Sequence, residues 1–446
     1  VGQDGRNHFG RNKVNLKALK YFILGFILMN IIGLGHETVL AQDIDLGTGI
    51  LNNPVGASSE DADWQGDYVY YGTYDGKPVM YRVLDSDSMA YGASSVLLDC
   101  DSVLITCHDA GIVYDEKCNR WLESDIRVYL NTEFLANNFS LQEQEAMLQG
   151  NGGGGAVSRL YGECDWAWEG TPLGADRLFL LDVSDVLNEK YGYCPATGYS
   201  YDSETGFETI GVVQNRKKTG GCMAWWLRST NDYKDSLGSY VNWNGAVDYG
   251  PVDCGVIGIS PALAVDNSSV LFTSLVGYDK SRVSQVRKET ENAVGSKWKF
   301  TLLDNYQLFN VDYVRVSGRS VNVGYTYGYG GISTSASQIS IMVTDGNYGD
   351  NNASMVYYGK VGDIKDGKVT FTLPEEFGTA GDWKVYLFSE CVNDGGLTDY
   401  ASAPVEIDIG NAGSGIAPWL LAAVAGLAAL VLAFFAVRTG LIKAGH

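Results

Sequence analysis

Histidine is almost missing from this chain of 446 residues: of the four present, His8 and His36 sit in the N-terminal segment and His446 ends the sequence. Only His108 remains in the body, so no site built on several histidines can form there. A Ser-His-Asp or Cys-His arrangement would have to use His108, which stands beside Asp109 with no nucleophile motif and reads as a surface or structural residue. Basic residues are also few. Lys and Arg number 32 against 53 Asp and Glu, a formal charge of −21, and no basic stripe breaks the acidity, which excludes nucleic acid as a partner. No Cys-x-x-Cys occurs, so the usual spacing of a structural zinc site is lacking. The glycine run at 152–155 has no Lys-Ser/Thr after it and opens no periodic helix, so it reads as a loop rather than a phosphate cradle. Carboxylates abound, but their spacing in sequence singles out no glycosidase pair, and they read as solvated surface.

What is present points to export and to β-structure. The length exceeds what one hydrophobic core usually organises, so two domains are expected. Gly (55), Tyr (28) and Trp (10) are abundant, which favours turns and aromatic-packed strands over long helices. Arg11, Lys13, Lys17 and Lys20 precede an apolar run at 21–35, and Val39-Leu40-Ala41 offers a cleavage site, the layout of a secretory signal peptide over 1–41. A charge-free run at 416–437 matches the roughly 20 residues needed to cross a bilayer. Arg438 and Lys443 follow it, which predicts a single-pass membrane protein with an extracellular ectodomain and a cytoplasmic tail at 438–446. No Leu-Pro-x-Thr-Gly precedes that run, so sortase transfer is not expected.

Seven of the eight cysteines, Cys100, Cys107, Cys118, Cys164, Cys194, Cys222 and Cys254, fall between positions 100 and 254. An odd number leaves at least one without a partner inside that stretch. Each is a candidate disulfide or buried thiol, and no pairing is selected. Cys391 stands apart.

After a polar leader at 42–63, an aromatic and β-branched stretch at 68–74 meets Asp75-Gly76 and resumes at 77–84, which predicts a β-hairpin. Ser124 is placed to cap a short helix, and Ser140 with Glu143 forms a capping-box pattern before another. A third short helix starts at Ser184. Closing strands are predicted at 225–229, 240–242 and 259–265, with a turn at Asn244-Gly245. Charges scatter through 271–296, which reads as a linker. Alternating stretches between 297 and 410 predict a β-sandwich.

Tyr71-Gly72, Tyr81-Arg82-Val83-Leu84, Arg127-Val128-Tyr129-Leu130-Asn131 and Trp225-Trp226-Leu227-Arg228-Ser229 together resemble an uncharacterised domain family of clostridial-type Gram-positive surface proteins. That family is similar to the C-type-lectin-like fold of the formylglycine-generating enzymes. Thr230 departs from its pattern, which commonly has Pro there. Trp298 to Leu302, Tyr357-Tyr358-Gly359 and 398–402 resemble an immunoglobulin-like module. The implied fold class is an α+β C-type-lectin-like domain at 64–270, then an all-β immunoglobulin-like sandwich at 297–410, with one C-terminal transmembrane helix.

The resemblance implies a non-catalytic bacterial cell-surface protein that binds a glycan or a protein on loops of the head, with the sandwich as spacer. Trp166 and Trp168, set among acidic residues, are candidates for stacking on a sugar or gripping a protein. Asn242, Trp243, Asn244 and Asp248 form a second candidate set, whose oxygens would suit calcium. No other cofactor is expected. Trp225 and Trp226 read as core. Two alternatives remain at this point: a copper oxidase of the formylglycine-generating type, whose paired thiolates Cys222 and Cys254 do not reproduce, and a structural cell-envelope component.

Overall fold

Strands begin where the sequence turns aromatic and β-branched. β1 (Tyr68–Tyr74) and β2 (Lys77–Ser88) pair antiparallel, and the turn between them holds Asp75 at φ 50° and Gly76 at φ 70°. Both values are positive, which is the geometry a two-residue hairpin demands. β3 (Ser95–Cys100) adds to β2, and Ala262–Asp266 adds to β3. The computed structural model describes residues 51–410, except 151–167, 170, 197, 203–206, 221–222, 232–233, 286–294, 331–334, 349–352 and 374–382. All belong to one unit of the chain, 41–446.

The Lys297–Leu303 strand joins the two halves. It runs parallel to β1, with Val69 opposite Trp298, and parallel to Asp399–Ala401, with Leu302 opposite Tyr400. Val270–Leu275, which runs from the last residue of the expected head into the stretch read as a linker, pairs antiparallel with the same strand. A 13-stranded sheet therefore continues from the N-terminal half into the C-terminal half. Side chains alternate across it. Trp298, Phe300 and Leu302 enter the large N-terminal core with Val69, Tyr71 and Leu97, while Lys299 and Thr301, on the other face, are buried beneath the C-terminal strands.

The C-terminal half is a sandwich with both faces covered. Ile339, Ile341, Val343, Val385 and Leu387 pack against Val321, Val323 and Phe309 of the three-stranded sheet Gln307–Ser317, Ser320–Tyr329 and Lys368–Thr372. Their alternates Met342, Tyr386 and Phe388 pack on Leu271 and Phe272 from the Val270–Leu275 strand. A second sheet in the N-terminal half, of eight strands, includes Trp225–Asn231, Leu237–Val241 and Val247–Pro251.

The fold class expected from sequence needs correction. The described residues are mainly β-strand, and their helices are short: Asp125–Tyr129, Leu135–Asn138, Leu141–Ala146 and Val183–Val186, with a π turn at Leu130–Phe134 joining the first two. An α+β lectin-like head is not what forms. Apolar residues here recur mostly with the two-residue period of strands, so burial is achieved by sheets and the helices remain one-turn or two-turn connectors. The described residues give no support to the transmembrane helix of that fold class: among them no helix is long and apolar enough to cross a membrane. The runs expected as signal peptide (1–41), membrane span (416–437) and tail (438–446) lie outside the described residues.

Candidate functional site

The closing strands build a rigid hairpin whose root is aromatic. Trp225 and Trp226 are fully buried. The Trp226 ring lies 5.2 Å from that of Tyr114 and 5.9 Å from that of Tyr240. The Lys218 ammonium sits 4.1 Å from the centre of the Trp225 ring, a cation–π contact strengthened by desolvation.

At the hairpin tip the backbone folds tightly. The Asn242 N–H donates to Ala246 O at 2.7 Å, and the Gly245 N–H donates to Asn242 O at 2.8 Å. Gly245 has φ 85°, and a Cβ there would stand 2.0 Å from Val213 O, so only glycine fits. The polar side chains are spent on holding this turn. Asn242 Oδ1 accepts from the Trp243 N–H at 2.8 Å, and Asn244 Oδ1 accepts from the Ala246 N–H at 3.0 Å. Asp248 Oδ2 accepts from Tyr240 OH at 3.2 Å and from Asn242 Nδ2 at 3.5 Å, while its Oδ1 accepts from the Tyr249 N–H at 2.8 Å. These oxygens brace the loop, and no group of three or more metal-binding side chains gathers among the described residues. Asp248 also helps raise the Tyr240 phenol, after burial as the larger cause.

The consequence is a locked loop presenting one aromatic. Trp243 is 63% exposed, the only exposed tryptophan among residues whose side chains are described. The other candidate pair is not brought into view: Trp166 lies outside the described residues, and for Trp168 only the backbone is described, paired with Asn231.

Sequence reasoning missed two buried clusters and a cleft. In the first cluster Lys218 donates to Asp99 at 2.6 Å, to Ser260 Oγ at 2.7 Å and to the Cys100 carbonyl, and Tyr193 donates to the other Asp99 oxygen. Burial pushes the Lys218 ammonium down although Asp99 opposes it. Both side chains of the ion pair have no exposure, so the pair braces β3 rather than meeting a solute. The second cluster gathers Lys280, Lys299, Glu390 and Asp399 beneath the C-terminal strands. Nothing local marks either cluster, because the partners of each are more than a hundred residues apart at their widest.

The cleft, of about 350 Å³, opens where the two halves meet and is lined by Asn137, Asn138, Ser140, Asn393, Thr398 and Tyr400 among others. Its floor is a hydrogen-bonded clasp. Glu143 Oε1 accepts from the Gly72 N–H at 3.0 Å and from Thr398 Oγ1 at 2.6 Å, and Ser140 Oγ meets Tyr400 OH at 2.8 Å. Amides and hydroxyls of this kind suit a polar ligand, and the size falls within the usual range for small-molecule pockets.

Of the cysteines, Cys100, Cys118, Cys254 and Cys391 are free thiols, and Cys107 and Cys194 are buried. Burial pushes the Cys100 thiol up to about 12, which makes it an inert packing residue. Cys164 and Cys222 lie outside the described residues.

Comparison with known proteins reaches one part of the chain. No curated protein and no solved structure matches it, so the expected kinship with C-type-lectin-like and formylglycine-generating folds has no structural relative to rest on. Residues 95–267, which carry the buried Trp225–Trp226 strand and the Trp243 tip, match the family model of a domain of unknown function, DUF6273.

Proposed function

We propose that this chain is a non-catalytic binding protein of a bacterial cell exterior, which takes a glycan or protein ligand at the tip of the 242–248 loop and uses the C-terminal sandwich as support. The observation that carries this reading is Trp243, exposed on a loop whose polar side chains and glycine are committed to holding its shape. A large apolar ring held in water costs free energy that a partner would recover, and a pre-ordered loop lowers the entropy lost on binding. Aromatic faces stack on sugar rings and also anchor protein interfaces.

The test is to screen the full chain on a glycan array, with and without added calcium, and to repeat any hit with Trp243→Ala. Saturable binding that falls at least about tenfold in the variant, the loss of roughly 1.4 kcal/mol, supports the reading. Binding indifferent to Trp243 would move the ligand elsewhere, and no saturable ligand at all would favour a purely structural envelope role. Stoichiometric bound copper would turn the reading toward an oxidase. Exterior location is tested separately by adding protease to intact cells, where digestion of the chain is expected.

A further inference from the structure

Lys280 lies against two carboxylates in a space without water access. Its ammonium nitrogen is 2.7 Å from Asp399 Oδ2, 3.1 Å from Glu390 Oε1 and 2.9 Å from Thr301 Oγ1. The side chains of Glu390 and Asp399 have no exposure and that of Lys280 has 2%. Aromatic rings close the space: the nitrogen is 4.7 Å from the Phe272 ring centre and 5.4 Å from that of Tyr358.

The two carboxylates are held differently. Glu390 Oε1 also accepts from Tyr358 OH at 2.7 Å, and its Oε2 accepts from Tyr358 OH, Ser340 Oγ and Gln338 Nε2. Asp399 Oδ1 accepts from Lys299 Nζ at 2.9 Å and from the Asn393 N–H at 2.7 Å, leaving Oδ2 to the Lys280 amine. One oxygen of Asp399 is thus polarised by a cation and a backbone donor, the arrangement that stabilises negative charge building on a carbonyl oxygen under attack. The other faces the nucleophile, with a second carboxylate within reach of the same nitrogen.

We propose that Lys280 and Asp399 condense into an intramolecular amide, with Glu390 as the proton carrier. Lys280 first passes one ammonium proton to Asp399 Oδ2, which leaves a neutral amine beside a neutral carboxylic acid. The amine lone pair forms a bond to Asp399 Cγ, and the carbonyl electron pair moves to Oδ1, where Lys299 and the Asn393 N–H hold it. Glu390 takes a proton from the new N–C centre and returns it to the Oδ2 hydroxyl. The Cγ–Oδ2 bond breaks, Oδ2 leaves as water, and the Oδ1 electrons restore the carbonyl. The Lys280 nitrogen gives up two of its three protons, which depart with Asp399 Oδ2 as water, and keeps the third as the amide N–H once Glu390 is restored; counted from the ammonium and the carboxylate, the products are one amide and one water. Nothing is oxidised or reduced. Contact at hydrogen-bond distance supplies the high effective concentration that condensation needs, and a dry site disfavours the charged reactants relative to a neutral amide.

The link would tie the segment after Val270–Leu275 to the Asp399–Ala401 strand, and it is independent of any ligand. It is tested on the full chain by intact mass and by peptide mapping with tandem mass spectrometry. The expected result is a mass lower by one water and a branched peptide joining Lys280 to Asp399, absent in Lys280→Arg and in Glu390→Gln. Linear peptides carrying unmodified Lys280 and Asp399 from folded wild-type protein overturn the proposal, as does a branch at Lys299. Where a variant does not fold, the wild-type map decides alone.

Discussion

Glu143 is one of the side chains through which the two halves of the chain hold each other, and replacing it is a sharp probe of their union. Its carboxylate accepts three hydrogen bonds: Gly72 N–H at 3.0 Å, Thr398 Oγ1 at 2.6 Å and Ser140 N–H at 2.8 Å, the last closing a capping box on Leu141–Ala146. Hydrogen bonds to a charged acceptor contribute about 1.5–3 kcal/mol each, and donors stranded in a buried site cost about 1–3 kcal/mol. Not all are lost independently, so Glu143→Ala is expected to cost about 3–5 kcal/mol. Glu143→Gln keeps an acceptor for Gly72 and Thr398 but turns an amide N–H toward the Ser140 N–H, and should cost about 1–2 kcal/mol, the range of a lost cap. Guanidinium unfolding followed by tryptophan fluorescence measures both. Because one sheet spans the halves, a single transition is expected in every variant. A loss below about 1 kcal/mol for Glu143→Ala, or two separated transitions in the wild type, would refute the reasoning.

Burial moves the Cys100 thiol from its ordinary 9.0 up to about 12. Between those values the unfolded chain has given up a proton that the folded chain keeps, so stability present below pH 9.0 falls as pH rises toward 12. Unfolding midpoints on either side of that threshold should show the decline, partly flattened in Cys100→Ala. Gly245→Ala forces φ 85° on a residue whose Cβ would overlap Val213 O, and a loss of about 2 kcal/mol or more is expected by the same unfolding assay. Counted on the uncondensed cluster, where two cations face two anions, Lys280→Met or Asp399→Asn alone leaves an uncompensated charge and should cost about 3–5 kcal/mol. The double variant restores neutrality, and its loss should fall short of the sum by about 1–3 kcal/mol; simple additivity would sink the account.

Local chemistry was readable from sequence and distant pairing was not. Asp75-Gly76 makes the turn its residues demand, Ser124 accepts from the Arg127 N–H, and Ser140 with Glu143 closes the capping box. Each of these depends on residues within four positions of one another. The Ser184 start is off by one, because the helix begins at Val183 with Asp182 as its cap. By contrast, Tyr68 lies beside Lys297 and Thr301 beside Asp399, and parallel pairing over such separations leaves no turn to mark it. Lys280 reads as one of several scattered linker charges until the strands on either side enclose it. Trp243 was legible as a candidate because its turn is local, whereas the cleft was not, since its walls come from 137–143 and 393–400.

That distribution bears on how binding must be assayed. A fragment ending at residue 267 would keep the matched domain and the Trp243 tip, but it would strip Lys297–Leu303 from β1. The edge of β1 would then offer unpaired N–H and C=O groups, and Trp298, Phe300 and Leu302 would be missing from the core that holds Val69 and Tyr71. Deleting one buried aromatic side chain commonly costs about 3–5 kcal/mol, and here two go together with a leucine. A total stability of about 5–15 kcal/mol is typical of a folded protein, so such a fragment is expected to open or to associate through its bare edge. Negative binding data from it would report on that damage rather than on Trp243. Only the full chain keeps both the sheet that stiffens the hairpin root and the cleft that both halves enclose.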